Sequence, residues 1–219
     1  MATPPSFRRL GKRFVATPPE KNYLWHLFYN DKERRLATFL GGGLWLSRLD
    51  QFGDSKEGQL PDANLGLLRK APTPLLEWVV KQYVLNVKRS FASCWHMSDN
   101  DPSPDAWQIF GGAGNGVAIR TTPDSMRQTL AQISGPDGPV HFAAVRYVDH
   151  SIDEIPEGNV IEAAFVVQSN YAPECEARVL IHTFGKGAEY LVNATGPFGP
   201  LVTRPQGNDT KEGGLVGGQ

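Results

Sequence analysis

The chain has 219 residues, 40% of them hydrophobic, with 22 lysines and arginines set against 23 aspartates and glutamates. That length suits one domain with a sizeable core, and the balanced charge argues against a general nucleic-acid binder, though a local basic patch is compatible with it. Two widely spaced cysteines make no disulfide framework and fit a reducing, cytoplasmic setting. The sequence contains neither an apolar run of bilayer length nor a signal-peptide core, so no membrane association is expected.

Residues 1–20 are proline-dotted and basic (Arg8, Arg9, Lys12, Arg13) and read as a flexible arm, with an electrostatic arm for a polyanion as the alternative. Tyr23 to Tyr29 is apolar and aromatic and predicts a first buried strand. Asn30 or Asp31 caps a short helix carrying Leu36, Phe39 and Leu40, which Gly41 to Gly43 end before a strand at 44–49. A longer helix starts at Thr73–Pro74, with Leu76, Val80, Tyr83, Val84 and Val87 as its buried stripe. Phe91 to His96 is a strand, Ser103 to Phe110 a short helix, and Val117 to Thr121 a strand after a glycine-rich turn. A helix from Thr122–Pro123 to about Ile133 follows, then a strand at 141–148, a helix at 160–167, and strands at 175–183 and 188–193. Residues 196–219 are rich in glycine and proline and read as a flexible tail. Helices and strands alternate without the regular unit of a doubly wound sheet. The expected fold is α+β: a single compact domain over 21–195 with a mixed or antiparallel central sheet flanked by helices.

The block from Phe91 to Thr122 concentrates the aromatic and polar chemistry, and Trp95 and Trp107 within it have the composition of a pocket wall. The glycines at 111, 112, 114 and 116 lie between a helix and a strand with no lysine after them, so they read as a turn rather than a phosphate loop. Cys94 and His96 are two potential zinc ligands; further ones would have to come from His26, Cys175 or His182, and a structural cysteine with a polar rim histidine is the simpler reading. Glu174, Glu176 and Arg178 form the most chemically suggestive element. Two carboxylates two positions apart at a strand start point the same way, one able to hold a sugar hydroxyl while the other takes a proton. The competing reading is a solvated strand edge on which Arg178 pairs a carboxylate at little gain in stability. Asp54 and Glu57 sit in a turn after the second strand and offer too few ligands for a metal.

Four segments in order, an N-terminal aromatic strand followed by GGLWLSRLDQFGDSKEG, then FASCWH, DAWQIFGGAGNGVAIRTT and YAPECEARVLI, together resemble the bacterial domain of unknown function 2971 family over about 25 to 185, and VRYVDHS between the third and fourth also fits it. The matching motif positions are Asp54, Glu57, Cys94, Trp95, Trp107, Gly116, Arg120, Glu174, Glu176 and Arg178. The chain departs from that family where Val166, Val167 and Gln168 replace its basic residues, and where Leu24, Trp25 and His26 stand in the first strand. A more distant resemblance, to the ADP-ribosyltransferase layout, rests on His26, GLWLS, Ser93 and the late Glu-x-Glu.

That second resemblance implies an enzyme using NAD as substrate: an ADP-ribosyltransferase or NAD glycohydrolase of the toxin or phage-defence kind, acting on a protein or nucleic-acid acceptor. It implies catalysis by Glu176 with Glu174 assisting the acceptor, and cofactor binding by His26, Ser93, Trp95, Trp107 and Arg120. A carboxylate would stabilise the positive charge that develops on the ribose as nicotinamide leaves. No metal is expected. The alternative is a non-catalytic module that recognises a nucleotide or a protein, with a metal-dependent hydrolase using Asp54 and Glu57 as a third class.

Overall fold

The computed structural model describes residues 8–9, 16–28, 33–40, 43–70, 72–111, 116–132, 140–155, 160–183, 191–192 and 201–203. In chain order the elements begin with β1 (Arg8–Arg9), β2 (Tyr23–Phe28), α1 (Glu33–Leu40), β3 (Leu44–Arg48), α2 (Asp62–Leu68) and α3 (Thr73–Arg89). Then come β4 (Ser90–Ser98), α4 (Pro104–Ala106), β5 (Val117–Thr121), α5 (Pro123–Ala131), β6 (Val140–Ala144) and β7 (Arg146–Val148). The series closes with β8 (Asp153–Glu154), α6 (Val160–Ala163), β9 (Val166–Gln168), β10 (Glu176–His182), β11 (Leu191–Val192) and β12 (Leu201–Thr203). Local chemistry explains several starts. The Thr122 side chain accepts the Ser125 N–H and Pro123 occupies the first turn of α5; Ser103 and Pro104 do the same for α4.

The fold is α+β, as expected, around an eight-stranded sheet ordered β11-β12-β3-β4-β10-β6, with β2 joining β4 to β5. All its pairings are antiparallel except that of β12 with β3. The nine-residue β4 is the axis. One edge of it carries β10 along Ser90–His96; the other carries β3 at Phe91–Ala92 and β2 at His96–Ser98. β2 therefore parts from β4 beyond Trp25, and the sheet splits there.

Alternation along β4 and β10 sorts the core into two layers. One face buries Leu24, Phe91, Trp95, Ala177, Val179 and Ile181 beneath Met126 and Leu130 of α5. The opposite face buries Ala92, Ala143 and Leu180 against Val87 of α3 and Phe165. Among the described residues no helix is long and apolar enough to cross a membrane.

Several local expectations change. The helix expected over 160–167 stops at Ala163, and the β-branched Val166 and Val167 form a strand parallel to β7. The strand expected over 141–148 breaks at Val145, whose N–H donates instead to the Glu176 carbonyl at 2.8 Å. The helix expected through Phe110 becomes α4 and a π-helical turn, Trp107–Gly111. On α3, Tyr83, Asn86 and Val87 are buried while Val80 and Val84 are exposed, so the buried stripe is rotated from the expected one. Within the two terminal segments, β1 pairs with β8 and β12 with β3. Residues 112–115 of the glycine turn, and the rest of the arm and tail outside the ranges given, lie outside the described residues.

Gly58 holds the loop before α2 against the helical layer. Its φ is +65°, and a Cβ there would lie 2.7 Å from Val87 Cγ1 and 3.2 Å from Leu49 Cδ1. Gly58→Ala should therefore lower unfolding stability by about 1–3 kcal/mol, measured by urea denaturation. Unchanged stability would mean that this loop does not lean on α3 as described.

Candidate functional site

β10 lies between β4 and β6, and all seven of its residues are buried. Glu176 and Arg178 are therefore not on a solvated edge, which overturns the low-stakes reading of this pair. Arg178, 2% exposed, donates through Nε and Nη2 to Glu176 Oε2 at 3.1 and 2.7 Å. Its Nη1 and Nη2 also grip the two Glu57 carboxylate oxygens, and Nη1 donates to the Ala164 carbonyl at 2.8 Å. Glu57 and Glu176 are 5% and 3% exposed, so a buried carboxylate–guanidinium–carboxylate triad lies under the sheet. Burial opposes the charge on Arg178, but Glu176 and Glu57 hold its guanidinium well above the ordinary value. At Glu57 burial outweighs the arginine, and the carboxyl is raised.

Beside the triad is an open cavity of about 220 Å³ lined by Asp54, Glu57, Cys94, Glu174, Glu176 and Arg178, among others. Glu174 closes a 3₁₀ turn, and Cys175 after it has φ 45° in the left-handed region, an uncommon conformation for a residue with a side chain. This kink lets both glutamates line the cavity. His96 clamps it by donating from Nδ1 to the Glu174 carbonyl at 2.8 Å, and the Glu176 N–H donates to the Tyr147 hydroxyl at 2.8 Å. Burial first, then the nearby Glu176 charge, raises the Glu174 carboxyl from 4.5 to about 7. The same two influences push the Cys94 thiol and the Tyr147 phenol upward, so the thiol is a poor nucleophile. Asp54 completes the lining, with Oδ1 accepting the Lys56 N–H at 2.9 Å and Oδ2 buried without a partner among the described residues.

The expected cofactor residues do not meet the glutamates. Register places His26, Ser93 and Trp95 on the face opposite to Glu176 and Arg178. The His26 ring packs 5.0 Å from that of Trp95, and its Nδ1 donates to the Cys94 carbonyl at 2.8 Å. His26 thereby satisfies backbone left unpaired where β2 leaves β4, a structural role. Ser93, 2% exposed, is enclosed beneath the other layer. Trp107 stands on the π-helical turn and does not line the cavity. Arg120 is exposed on β5, its guanidinium 4.6 Å from the Tyr23 ring centre and 5.6 Å from that of Trp25. Trp25, opposite both His96 and Arg120, shares the face of the acidic cavity but lies outside its lining.

Asp54 and Glu57 are what sequence reasoning undervalued. Their turn spacing carries no sign of a partner 121 positions away. A glutamate directly before a glycine in a short loop is the one local signal that could have pointed to Glu57. The suggested zinc ligands disperse: His182 bonds Ser90 Oγ at 3.0 Å, and Cys175 is exposed. Among the described residues no group of three or more His, Cys, Asp or Glu could hold a metal ion. Compared with protein-family models, curated proteins and solved structures, the chain finds no match.

Removing Arg178 would strand two buried carboxylates. Arg178→Met should cost about 3–5 kcal/mol in urea unfolding at pH 7, with much of that recovered by adding Glu57→Gln and Glu176→Gln. Glu174 has its folded pKa raised, so its stabilising contribution is complete below about 4.5 and is lost as pH rises through about 7. Between those values the wild type should lose stability relative to Glu174→Gln. Parallel pH curves for the two proteins would contradict this.

Proposed function

We propose that the acidic cavity cleaves an N-ribosyl bond, with the nicotinamide–ribose end of NAD as its substrate and either water or a macromolecular hydroxyl as the acceptor. The observation carrying this reading is that two carboxylates of different availability share one cavity: Glu174 holds a proton to about pH 7, while Glu176 is ion-paired to Arg178. Pairs of that kind divide the work of acid–base and charge-stabilising chemistry. Four carboxylates (Asp54, Glu57, Glu174 and Glu176) face one guanidinium in this lining, which favours a pyridinium cation over an anion. The space suits a single ring, with the diphosphate and adenosine left outside.

In the proposed step the C1′–N bond breaks and its electron pair passes to the ring nitrogen, so nicotinamide leaves neutral and needs no acid. Positive charge grows on the ribose and is stabilised by Glu176, whose bonds from Arg178 both fall on Oε2. The acceptor oxygen attacks C1′ and gives its proton to the ionised Glu174 carboxylate, which acts as general base. His26, Ser93 and Trp95 have no part in this step; they support the sheet beneath it.

A binding module without turnover is the second reading, favoured by the burial of Glu176 within its ion pair. Nicotinamide release from NAD separates the two. The enzyme reading expects release to rise with pH through a midpoint near 7, and Glu174→Gln to reduce it about 100-fold or more with folding retained. Calorimetric NAD binding with no nicotinamide released, across water and protein or RNA acceptors, would establish the module instead.

A further inference from the structure

His150 lies outside the acidic cavity and has a polar environment of its own. It is 4% exposed, and both of its ring nitrogens are buried without a hydrogen-bond partner among the described residues. Burying a polar nitrogen without a partner is costly, and a folded protein rarely retains such an orphan without a use. The residue lines a second cavity, of about 200 Å³, together with Lys56, Asp62, Asp149, Ser151, Gln168 and Ser169.

We infer that this second cavity binds a neutral polyhydroxyl group the size of one sugar ring, through His150 and Gln168. Charge argues against an anion. The Lys56 ammonium is paired to Asp62, and the Asp149 carboxylate accepts both the N–H and the hydroxyl of Ser151. The lining thus holds two carboxylates to one ammonium. Burial, then Lys56, lowers the pKa of His150, so near neutral pH its ring presents one donor and one acceptor. A sugar hydroxyl also donates and accepts, and so satisfies either nitrogen. The Gln168 amide supplies a second donor–acceptor pair, and the exposed Ser151 and Ser169 stand at the cavity wall.

The two cavities flank the same segments: Glu57 and Val167 line the acidic one, Lys56 and Gln168 the other. The inference concerns binding alone and does not depend on the ribosyl-bond reading. The sugar could belong to a nucleoside or to a glycan, and the experiment distinguishes these sources.

The test is titration of the full ¹⁵N-labelled chain at pH 7, reading the His150 ring nitrogens by long-range NMR correlation, with the signal assigned by its absence in His150→Gln. The probes are adenosine, methyl glucoside and inorganic phosphate. Saturable shifts with adenosine or with the glucoside support the site and name its source. Gln168→Ala, a change at the cavity wall, should then weaken that binding about tenfold. If His150→Gln does not fold, Gln168→Ala and Ser169→Ala carry the test by calorimetric titration with the same probes, which needs no assigned signal. A response to phosphate alone, or to no probe, overturns the inference, as does binding indifferent to both wall substitutions.

Discussion

The buried guanidinium of Arg178 is the interaction on which the rest depends. Taking a carboxylate or an ammonium out of water costs several kcal/mol per ion, and only close pairing with further hydrogen bonds offsets it. Arg178 meets that condition with bonds to Glu176, Glu57 and the Ala164 carbonyl. These partners come from its own strand, from a loop 121 residues earlier and from the turn after α6. One side chain therefore joins three parts of the chain beneath a single face of the sheet. Gly58, adjacent to Glu57, lets that loop approach α3 closely enough for the grip to close.

The period of two along β4 makes the second division. Cys94 and His96 turn toward the acidic cavity, while Ser93 and Trp95 turn toward the aromatic layer with His26. Neighbours in sequence thus serve unrelated ends. The aromatic layer buries large apolar surface and repairs the split in the sheet through the bond from His26 to the Cys94 carbonyl. The acidic layer holds charge that is neutralised only in part.

Partial neutralisation is what makes the cavity chemically distinctive. Arg178 is spent on Glu57 and Glu176, so Glu174, half-buried beside them, experiences both desolvation and a neighbouring negative charge. Its proton is consequently held to about pH 7. The backbone contributes as well, since the left-handed Cys175 and the His96 clamp orient Glu174 toward the cavity instead of along the sheet edge.

The sequence alone was enough for much of the local structure. Threonine and serine caps followed by proline marked the starts of α4 and α5, and the aliphatic run Val179–Leu180–Ile181 within 175–183 fits β10. The Glu-x-Glu-x-Arg spacing was visible in the sequence because it is a property of adjacent residues. Tertiary structure decided what the spacing meant. Whether β10 was edge or centre, which loop supplied the second carboxylate and which face received His26 all depend on strand register and on contacts between distant positions. Capping and propensity act within a few residues, whereas a one-residue change of register sends every side chain of a strand to the other face. The identity of the site's residues was therefore partly written in local pattern, and their convergence or separation was set by how the strands paired.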